Sequence, residues 1–361
     1  MNYFISTGEL SGDLHASYIV EKIKTLDRNS KIYAIGGMNL KKQDVEIVRD
    51  IDSLAIMGFV EVIKNFNFLK KVLEETVEFI LSNNIDRVVL VDYGGFNLKL
   101  LEILKCRKPN LKITYYIPPK VWIWGKKRVP KIAKADEILV IFPWEVEFYK
   151  RENVKALYFG NPFMEKYEKI SKKGEKILLL PGSRKQEITK LIPVMLEVVR
   201  EKTTEIFILK LAKESDKNWI KEDLSSYPNL IVESSKSLKE LCEESKYALA
   251  ASGTVILELA LLGLPGIVLY KTSLINEIIV RLFINLTYVS LPNLTLDKEV
   301  YKELLQGECR ADYVLYEMNN LERDYEKIEK QVDDIRKRLN GENIIESYAK
   351  IIIKGDNNEL I

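Results

Sequence analysis

Short apolar runs alternate with amphipathic helical patterns along the whole chain, and this alternation limits the available folds more than any other feature. Such runs, bounded by turn residues and separated by helices, predict parallel sheets covered by helices on both faces. The predicted strands are residues 2–6, 31–35, 87–92, 112–116, 137–141, 156–159, 177–180, 205–210, 230–233, 247–251 and 266–270. Charged helical patterns over 321–339 and 342–354 close the chain. The predicted class is α/β, with two Rossmann-like, doubly wound units and C-terminal helices.

The length of the chain predicts where these units divide. At 361 residues the chain exceeds the size at which one hydrophobic core usually keeps growing. Asn161, Pro162 and the polar stretch 171–176 mark a boundary after the first set of strands. We therefore expect an N-terminal domain over residues 1–165 and a C-terminal domain over residues 166–361.

Charge and cysteine content exclude several classes of function. The 55 Lys and Arg residues nearly balance the 53 Asp and Glu residues, so nucleic acid is not expected as the main ligand. Cys106, Cys242 and Cys309 are far apart and form no CxxC pair, which favours a reducing compartment and predicts neither a disulfide framework nor a zinc site. His15 is the only histidine, so a Ser/His/Asp triad or a histidine-rich metal site is not indicated.

The apolar runs are too short for a membrane-spanning helix, and the N-terminus does not read as a secretory signal. We therefore expect a cytoplasmic protein whose membrane contact, if any, is peripheral.

Ligands of doubly wound sheets bind beyond the carboxyl ends of the strands, so the loops that leave strands are the candidate sites. The first loop, GELSGD over residues 8–13, carries two glycines that let the backbone approach a ligand at a helix N-terminus. The alternative is an ordinary helix start capped by Asp13. Because the loop is not GxGxxG and the chain lacks GxxxxGK[ST], a nicotinamide dehydrogenase or a P-loop enzyme is not favoured.

The strongest local signal lies after strand 247–251, where Ser252, Gly253 and Thr254 precede a short helix. The N–H groups at this helix start and the two hydroxyls are suited to bind a diphosphate, and Glu258 is suited to accept hydrogen bonds from ribose hydroxyls. Alternatively, Glu258 only favours the helix start electrostatically.

A second loop contributes a cation to the same predicted site. The loop Gly182, Ser183 and Arg184 leaves strand 177–180 and places a fixed guanidinium opposite the diphosphate, unless it is a plain surface turn.

Two further segments mix aromatic and basic side chains. The tryptophan loop, residues 115–128, suits a phosphorylated and partly apolar ligand or a membrane interface, or else buries its tryptophans beneath a solvated basic loop. Residues 57–71 favour an acyl-chain or membrane-facing segment over a buried helix. The side chains assigned here are Trp122, Trp124, Lys126, Arg128, Phe59, Phe66 and Phe68.

Taken together and in this order, these loops resemble the lipid-A-disaccharide synthases, a family of inverting glycosyltransferases with the GT-B fold. The motifs that carry the resemblance are GELSGD (8–13), MGFVEV (57–62), VDYGGFN (91–97), PPKVWIWGKKRV (118–129), FPWEVEFY (142–149), GNP (160–162), LLPGSR (179–184), ASGTVILE (251–258) and YVSLPNL (288–294).

The resemblance implies two Rossmann-like domains facing a central cleft and transfer of 2,3-diacylglucosamine from UDP-2,3-diacylglucosamine to lipid X (2,3-diacylglucosamine 1-phosphate). The acceptor would bind mainly on the N-terminal half, near Ser11, Gly12 and Asn97, and UDP on the C-terminal half, where Asn293 and Gln306 also match. No metal or other cofactor is implied. The resemblance also implies that the chain acts at the cytoplasmic face of the inner membrane, and it allows a homodimer.

The chain departs from the family pattern at the general base. Where the family usually reads Asp, two residues, then Asp-Phe-Asn, this chain has Asp92 but Gly95 in place of the second carboxylate. The candidate bases are Asp92, which we favour, and Glu9 or Asp13 from the first loop; a structural Asp92 that caps the next turn is the alternative. Lys120 and Gly125 also replace residues more usual in the tryptophan loop.

Two other classes of protein remain compatible with the sequence. One is a GT-B enzyme acting on other UDP-GlcNAc substrates, such as the peptidoglycan transferase or the UDP-GlcNAc 2-epimerase, against which the tryptophan loop and YVSLPNL argue. The other is a non-catalytic protein that binds nucleotide-sugars or phospholipids, which the missing second carboxylate makes conceivable.

Overall fold

The computed structural model describes residues 1–52, 66–123, 125–271 and 287–355. The chain forms two compact units. The first unit comprises Met1–Pro162 together with the residues from Gly341 onward, and the second comprises Phe163–Asn340.

The first unit is built on a six-stranded parallel sheet in the order β3-β2-β1-β4-β5-β6. Its strands are β1 (Asn2–Ser6), β2 (Lys31–Gly36), β3 (Glu46–Asp50), β4 (Arg87–Val91), β5 (Lys112–Tyr116) and β6 (Glu137–Leu139). Its helices before the domain boundary are α1 (Leu10–Leu26), α2 (Met38–Lys41), α3 (Phe66–Ser82), α4 (Gly94–Arg107), α5 (Val129–Ile132) and α6 (Pro143–Arg151), with a 3₁₀ turn at Lys126–Arg128. The central strands are apolar and buried on both faces, as a helix-covered parallel sheet requires.

The second unit repeats this plan with the order β12-β11-β10-β7-β8-β9. Its strands are β7 (Lys176–Leu180), β8 (Phe207–Lys210), β9 (Leu230–Glu233), β10 (Ser245–Ala251), β11 (Gly266–Tyr270) and β12 (Lys302–Leu305). Its helices are α7 (Phe163–Lys166), α8 (Lys185–Glu201), α9 (Leu238–Glu243), α10 (Thr254–Leu262), α11 (Leu291–Leu296), α12 (Ala311–Arg323) and α13 (Tyr325–Leu339). Three 3₁₀ turns lie at Glu214–Trp219, Leu224–Ser226 and Gln306–Glu308. None of the helices within the described ranges combines the length and apolarity needed to cross a bilayer.

The last helix, α14 (Ile344–Lys354), corrects the expected content of the C-terminal domain, because it belongs to the first unit. It packs against α1. The buried hydroxyl of Tyr348 donates hydrogen bonds to the carbonyls of Val140, at 2.5 Å, and Gly160, at 2.9 Å. These contacts return the chain to the first sheet after it has completed the second.

Three of the expected secondary-structure elements also differ. Residues 156–159 do not form a strand but only an isolated bridge between Leu139 and Leu157. The pattern over 321–339 spans the end of one helix and the whole of another, because α12 ends at Arg323 and α13 begins at Tyr325. The first helix begins at Leu10, inside the expected loop 8–13, so Ser11, Gly12 and Asp13 lie in its first turns.

The strand orders place the candidate loops. In the first sheet the connections run outward in both directions from the β1–β4 pair, and in the second sheet from the β7–β10 pair. Ligands of open α/β sheets bind at this point of reversal, beyond the carboxyl ends of the strands. The loops after β1, β4, β7 and β10, which carry the candidate bases and the candidate diphosphate-binding residues, all leave strands that flank these two points.

Candidate active site

The loop after β4 carries Asp92 in a strained conformation. Asp92 and Tyr93 both have φ of +46°, in the left-handed region that costs most residues about 1–2 kcal/mol. Such strain persists where surrounding contacts enforce it, and it is common at active sites. Here the carbonyl of Asp92 accepts hydrogen bonds from Tyr115 Oη and from Asn97 Nδ2, both at 3.0 Å. The half-buried Asp92 side chain is thus held at the carboxyl end of a central strand.

Asn97 is one of the groups that enforce this conformation, and its side chain bonds within the first unit. Its side chain is fully buried. Its amide nitrogen also donates to the carbonyls of Ser6 and Val91, each at 3.2 Å, while its oxygen accepts from Ser6 Oγ at 2.6 Å. Asn97 therefore joins the ends of β1 and β4, and its proposed contact with the acceptor stays a prediction.

Asp13 also has a structural role, which argues against its assignment as a candidate base. Its buried carboxylate accepts hydrogen bonds from the backbone N–H groups of Gly37, at 2.6 Å, and Asn39, at 2.8 Å. These are the N–H groups at the start of α2, which a carboxylate satisfies well. Asp13 thus caps α2 and ties α1 to the end of β2.

The rest of the first loop meets the loop after β4. Glu9 is exposed and precedes the first residue of α1, Ser11 is half-buried and Gly12 is buried. Burial raises the pKa of Tyr93, and the neighbouring negative charge of Glu9 raises it further. The structure therefore brings Glu9 and Asp92 to the same edge of the sheet, in the loops that follow two adjacent strands.

The tryptophan loop is attached to α6 through a buried carboxylate that the sequence analysis did not single out. Trp122 Nε1 donates to Glu145 Oε1 at 3.1 Å, and the indole rings of Trp122 and Trp144 pack edge to face. Burial raises the pKa of Glu145 to about 7, opposed by the Trp122 hydrogen bond and the charge of Lys120. The available sequence signal was its place three residues after Phe142, where a carboxylate caps a helix.

The other aromatic and basic candidates are only partly described. Lys126 is exposed and pairs with Glu152 at 2.6 Å, and Arg128 is half-buried. Phe68 is 39% exposed on α3, with the Arg49 guanidinium 6.0 Å from its ring centre. Trp124, Phe59 and the side chain of Phe66 lie outside the described residues.

In the second unit the backbone N–H groups of the loop after β7 bind a carboxylate of the chain itself. Gly182 has φ of +99°, which favours glycine, and the Glu187 carboxylate accepts from the backbone N–H groups of Ser183 and Arg184 at 3.2 and 3.3 Å. The side chain of Arg184 is 63% exposed, and its Nη1 lies 3.4 Å from Oε1 of Glu187. Its guanidinium is therefore held at the loop by Glu187 while most of the side chain stays exposed to solvent.

The loop after β10 lies beside it, because β7 and β10 are neighbours. Gly253 is exposed, and a Cβ atom there would meet no atom within 4 Å. Ser252 and Thr254 are half-buried, and α10 begins at Thr254. Glu258 follows one turn into α10 and accepts a hydrogen bond from Tyr167 Oη at 2.5 Å. This hydrogen bond across 91 residues was not foreseen from the sequence.

Asn293 and Gln306, expected near the donor, occupy different settings. Asn293 is fully buried; its oxygen accepts from the N–H groups of Val300 and Tyr301, and its nitrogen donates to Tyr301 O and Glu303. It therefore joins α11 to β12, and its assignment to substrate binding stays a prediction. Gln306 is half-buried with φ of +52° at the carboxyl end of β12, where a ligand contact remains a prediction.

Within the part of the chain that the structure describes, no three His, Cys, Asp or Glu side chains form a group suited to a metal ion. Residues 50–52 spell DxD, a pattern that some metal-dependent transferases use. Here Asp50 forms an ion pair with Lys41 at 2.6 Å and accepts a hydrogen bond from the backbone N–H of Asp52.

Comparisons with known proteins agree with the fold and the motifs. Among solved structures, the UDP-GlcNAc 2-epimerase from Neisseria meningitidis, bound to UDP-GlcNAc, superposes with a TM-score of 0.64 at 14% identity over 98% of each chain. The glycotransferase of kitacinnamycin superposes with a TM-score of 0.66 at 11% identity, again over 98% of each chain. At these identities the similarity concerns the fold alone, and it confirms the predicted two-domain GT-B class.

Similarity in sequence is more specific. A family model described as lipid-A-disaccharide synthetase matches residues 3–354. The lipid-A-disaccharide synthase of Persephonella marina is 32% identical over 97% of this chain and 97% of its own length. With a match over nearly its whole length, the chain belongs to the lipid-A-disaccharide synthase family.

Proposed function

We propose that this chain transfers 2,3-diacylglucosamine from UDP-2,3-diacylglucosamine to the 6-hydroxyl of lipid X, forming a β-1,6-linked disaccharide 1-phosphate and UDP. Family membership is the observation that carries the proposal. The two pairs of loops at the carboxyl edges of the sheets support it, because one pair offers carboxylates and the other offers groups suited to a nucleotide diphosphate.

The donor is assigned to the second unit. The N–H groups at the start of α10 and the Ser252 and Thr254 hydroxyls bind the diphosphate of UDP, and the exposed guanidinium of Arg184 adds a cation on the neighbouring strand end. These groups stabilise the charge that UDP acquires as the glycosidic bond breaks. Glu258 accepts hydrogen bonds from the ribose hydroxyls.

Inversion at the sugar needs one general base, and we assign it to Asp92. The base takes the proton of the attacking 6-hydroxyl while the C–O bond to the diphosphate breaks, and UDP leaves with the bonding electron pair. Asp92 is half-buried and held in position by Asn97 and Tyr115, whereas Asp13 is committed to α2. Glu9 remains the alternative base on the adjacent loop.

The acceptor is assigned to the first unit, together with the membrane surface that supplies it. Lipid X carries a phosphate and two acyl chains, so it requires cations beside apolar side chains. Lys126 and Arg128 in the tryptophan loop and Phe68 on α3 offer these groups. We propose that the chain works on the cytoplasmic face of the inner membrane, and that a homodimer is compatible with this role.

The test is an assay of UDP release and product mass with both acylated substrates in detergent, with EDTA present. Asp92→Asn is the informative variant, because asparagine tolerates the left-handed backbone at this position and preserves the fold. We expect kcat to fall by at least about 100-fold with unchanged affinity for UDP. Asp50→Asn, at the carboxyl end of the edge strand β3, is the matched control and should retain activity.

Activity of Asp92→Asn above about a tenth of wild type would shift the assignment to Glu9, tested by Glu9→Gln. A folded wild-type chain that binds UDP but forms no disaccharide would overturn the proposed reaction.

A further inference from the structure

Tyr167 is held against the helix that carries the proposed ribose-binding group. Its hydroxyl donates to Glu258 Oε2 at 2.5 Å, and both side chains are half-buried. Burial raises the pKa of Glu258, and the hydrogen bond from Tyr167 opposes that rise by favouring the charged form. Tyr167 therefore helps to keep Glu258 ionised and fixes the direction of its carboxylate.

The backbone of Tyr167 is fixed to the same helix by a second contact. The guanidinium of Arg336 donates to the carbonyl of Tyr167 at 2.9 Å and to that of Leu261, near the end of α10, at 2.6 Å. Two residues of the same segment continue the contact: Ile170 N donates to Leu262 O at 2.9 Å, and the side chain of Lys169 lies against Gly263. Tyr167 is thus attached to α10 through both its hydroxyl and its backbone.

This arrangement suits the recognition of a diol. A carboxylate has two oxygens and accepts several hydrogen bonds, so the bond from Tyr167 to Oε2 leaves Oε1 for ligand hydroxyls. A carboxylate free to rotate on a glutamate side chain would lose conformational entropy each time it bound a ligand. A carboxylate already oriented by Tyr167 loses less, and it makes strong, charge-assisted hydrogen bonds.

We infer that Tyr167 is a positioning residue, which orients the Glu258 carboxylate to accept hydrogen bonds from the 2′- and 3′-hydroxyls of the bound nucleotide. The inference rests on the proposed donor site. It assigns to Tyr167 the discrimination between a ribonucleotide and a nucleotide that lacks these hydroxyls.

The test compares the affinity of the full-length chain for UDP and for 2′,3′-dideoxy-UDP by calorimetry. We expect wild type to prefer UDP by at least about tenfold. Tyr167→Phe should weaken UDP binding by about tenfold and leave the affinity for 2′,3′-dideoxy-UDP unchanged, which also shows that the variant is folded. A general structural role would weaken both ligands equally. Tyr325→Phe is the matched control, because that hydroxyl donates to the carbonyl of Lys246 instead, at 3.1 Å.

Glu258→Ala separates failure of the inference from failure of the site. If Tyr167 acts through Glu258, the double variant Tyr167→Phe/Glu258→Ala binds UDP as Glu258→Ala does. If Glu258→Ala abolishes the preference for UDP and Tyr167→Phe keeps it, the inference is overturned while the donor site stands. If wild type binds both nucleotides equally, or binds neither, the proposed ribose contact fails and the inference fails with it.

Discussion

The ring of Tyr93 covers the backbone of Gly8 so closely that a Cβ atom on Gly8 would lie 2.1 Å from Cγ of Tyr93. This contact joins the loop after β1 to the loop after β4. The candidate bases are the chain neighbours of the two residues: Glu9 follows Gly8, and Asp92 precedes Tyr93. The spacing of the two carboxylates therefore depends on the absence of a side chain at Gly8.

Gly8→Ala tests this dependence. Because the clash involves Cγ of Tyr93 rather than the far end of its ring, relief requires a new χ1 angle or a shift of the strained turn at Asp92, so we expect a loss of about 1–3 kcal/mol in the free energy of unfolding and a lower kcat. Gly12→Ala is the matched control: its Cβ would lie 3.7 Å from Thr7, an ordinary contact, inside helix α1. Equal unfolding free energies for the two variants in a urea titration would argue against the contact.

Asp13→Asn should lower the stability of the chain and leave its turnover nearly unchanged, whereas Asp92→Asn should lower turnover. An asparagine at position 13 retains only one acceptor oxygen for the N–H groups of Gly37 and Asn39, so we expect the free energy of unfolding to fall by about 2 kcal/mol. The folded fraction should retain near wild-type kcat, because the carboxylate faces α2. Denaturant titration and the product assay on the same preparation separate the two effects, and loss of turnover in fully folded Asp13→Asn would return Asp13 to the candidate bases.

Gly95 stands where the family usually has its second aspartate, and the structure has room for one. A Cβ atom at Gly95 would meet no atom within 4 Å, at an exposed position in the first turn of α4. Gly95→Asp should raise the free energy of unfolding by about 1 kcal/mol, because glycine is a poor helix former and an anion is favoured at a helix N-terminus.

The neighbouring glycine provides the control for that substitution. A Cβ atom at Gly94 would lie 2.5 Å from Cγ of Pro119, so Gly94→Ala should be destabilising by about 1–3 kcal/mol. Thermal unfolding of both variants checks the pair, and a destabilised Gly95→Asp would contradict the open position.

The strands were predictable from sequence where burial on both faces produces a continuous apolar run, as in β4 and β7. The edge strands β3, with sequence EIVRD, and β12, with sequence KELL, were missed because they are short and half polar. An edge strand faces solvent on part of its surface, so it need not carry the apolar run that marks a central strand.

The candidate loops were predictable as positions, but the roles of several side chains within them were not. Asn97 and Asn293 follow glycine- or proline-containing turns in family motifs, which makes them resemble ligand contacts in sequence. The partners of Asn97 include Ser6, 91 residues away, and those of Asn293 include the backbone N–H of Tyr301, just before β12, so only the fold reveals these internal hydrogen bonds. The same is true of the carboxylate–donor pairs that involve Glu145 and Tyr167.

Glu145 predicts a distinctive dependence of stability on pH. Burial raises its pKa from 4.5 to about 7, and the positive charge of Lys120 opposes this rise. Burial also raises the pKa of Tyr149 on the same helix, and the negative charge of Glu145 raises it further. Between these values the folded chain binds a proton that the unfolded chain has released, so this residue makes the folded state less stable as the pH rises. The stabilisation from Glu145 is complete below its pKa in the unfolded chain. It is lost as the pH rises through its pKa in the folded chain.

Glu145→Gln removes this titration while keeping an oxygen that can accept from Trp122 Nε1. Relative to wild type, the variant should gain up to about 3 kcal/mol in the free energy of unfolding between pH 4.5 and pH 7.5, on top of a constant offset from the lost charge. Urea titrations at half-unit pH intervals measure the difference. Glu147→Gln, an exposed carboxylate on the same helix, is the control and should follow the wild-type curve. A pH-independent difference between Glu145→Gln and wild type would show that Glu145 is ionised throughout this range, and that the indole of Trp122 is held by a carboxylate whose charge is fully compensated.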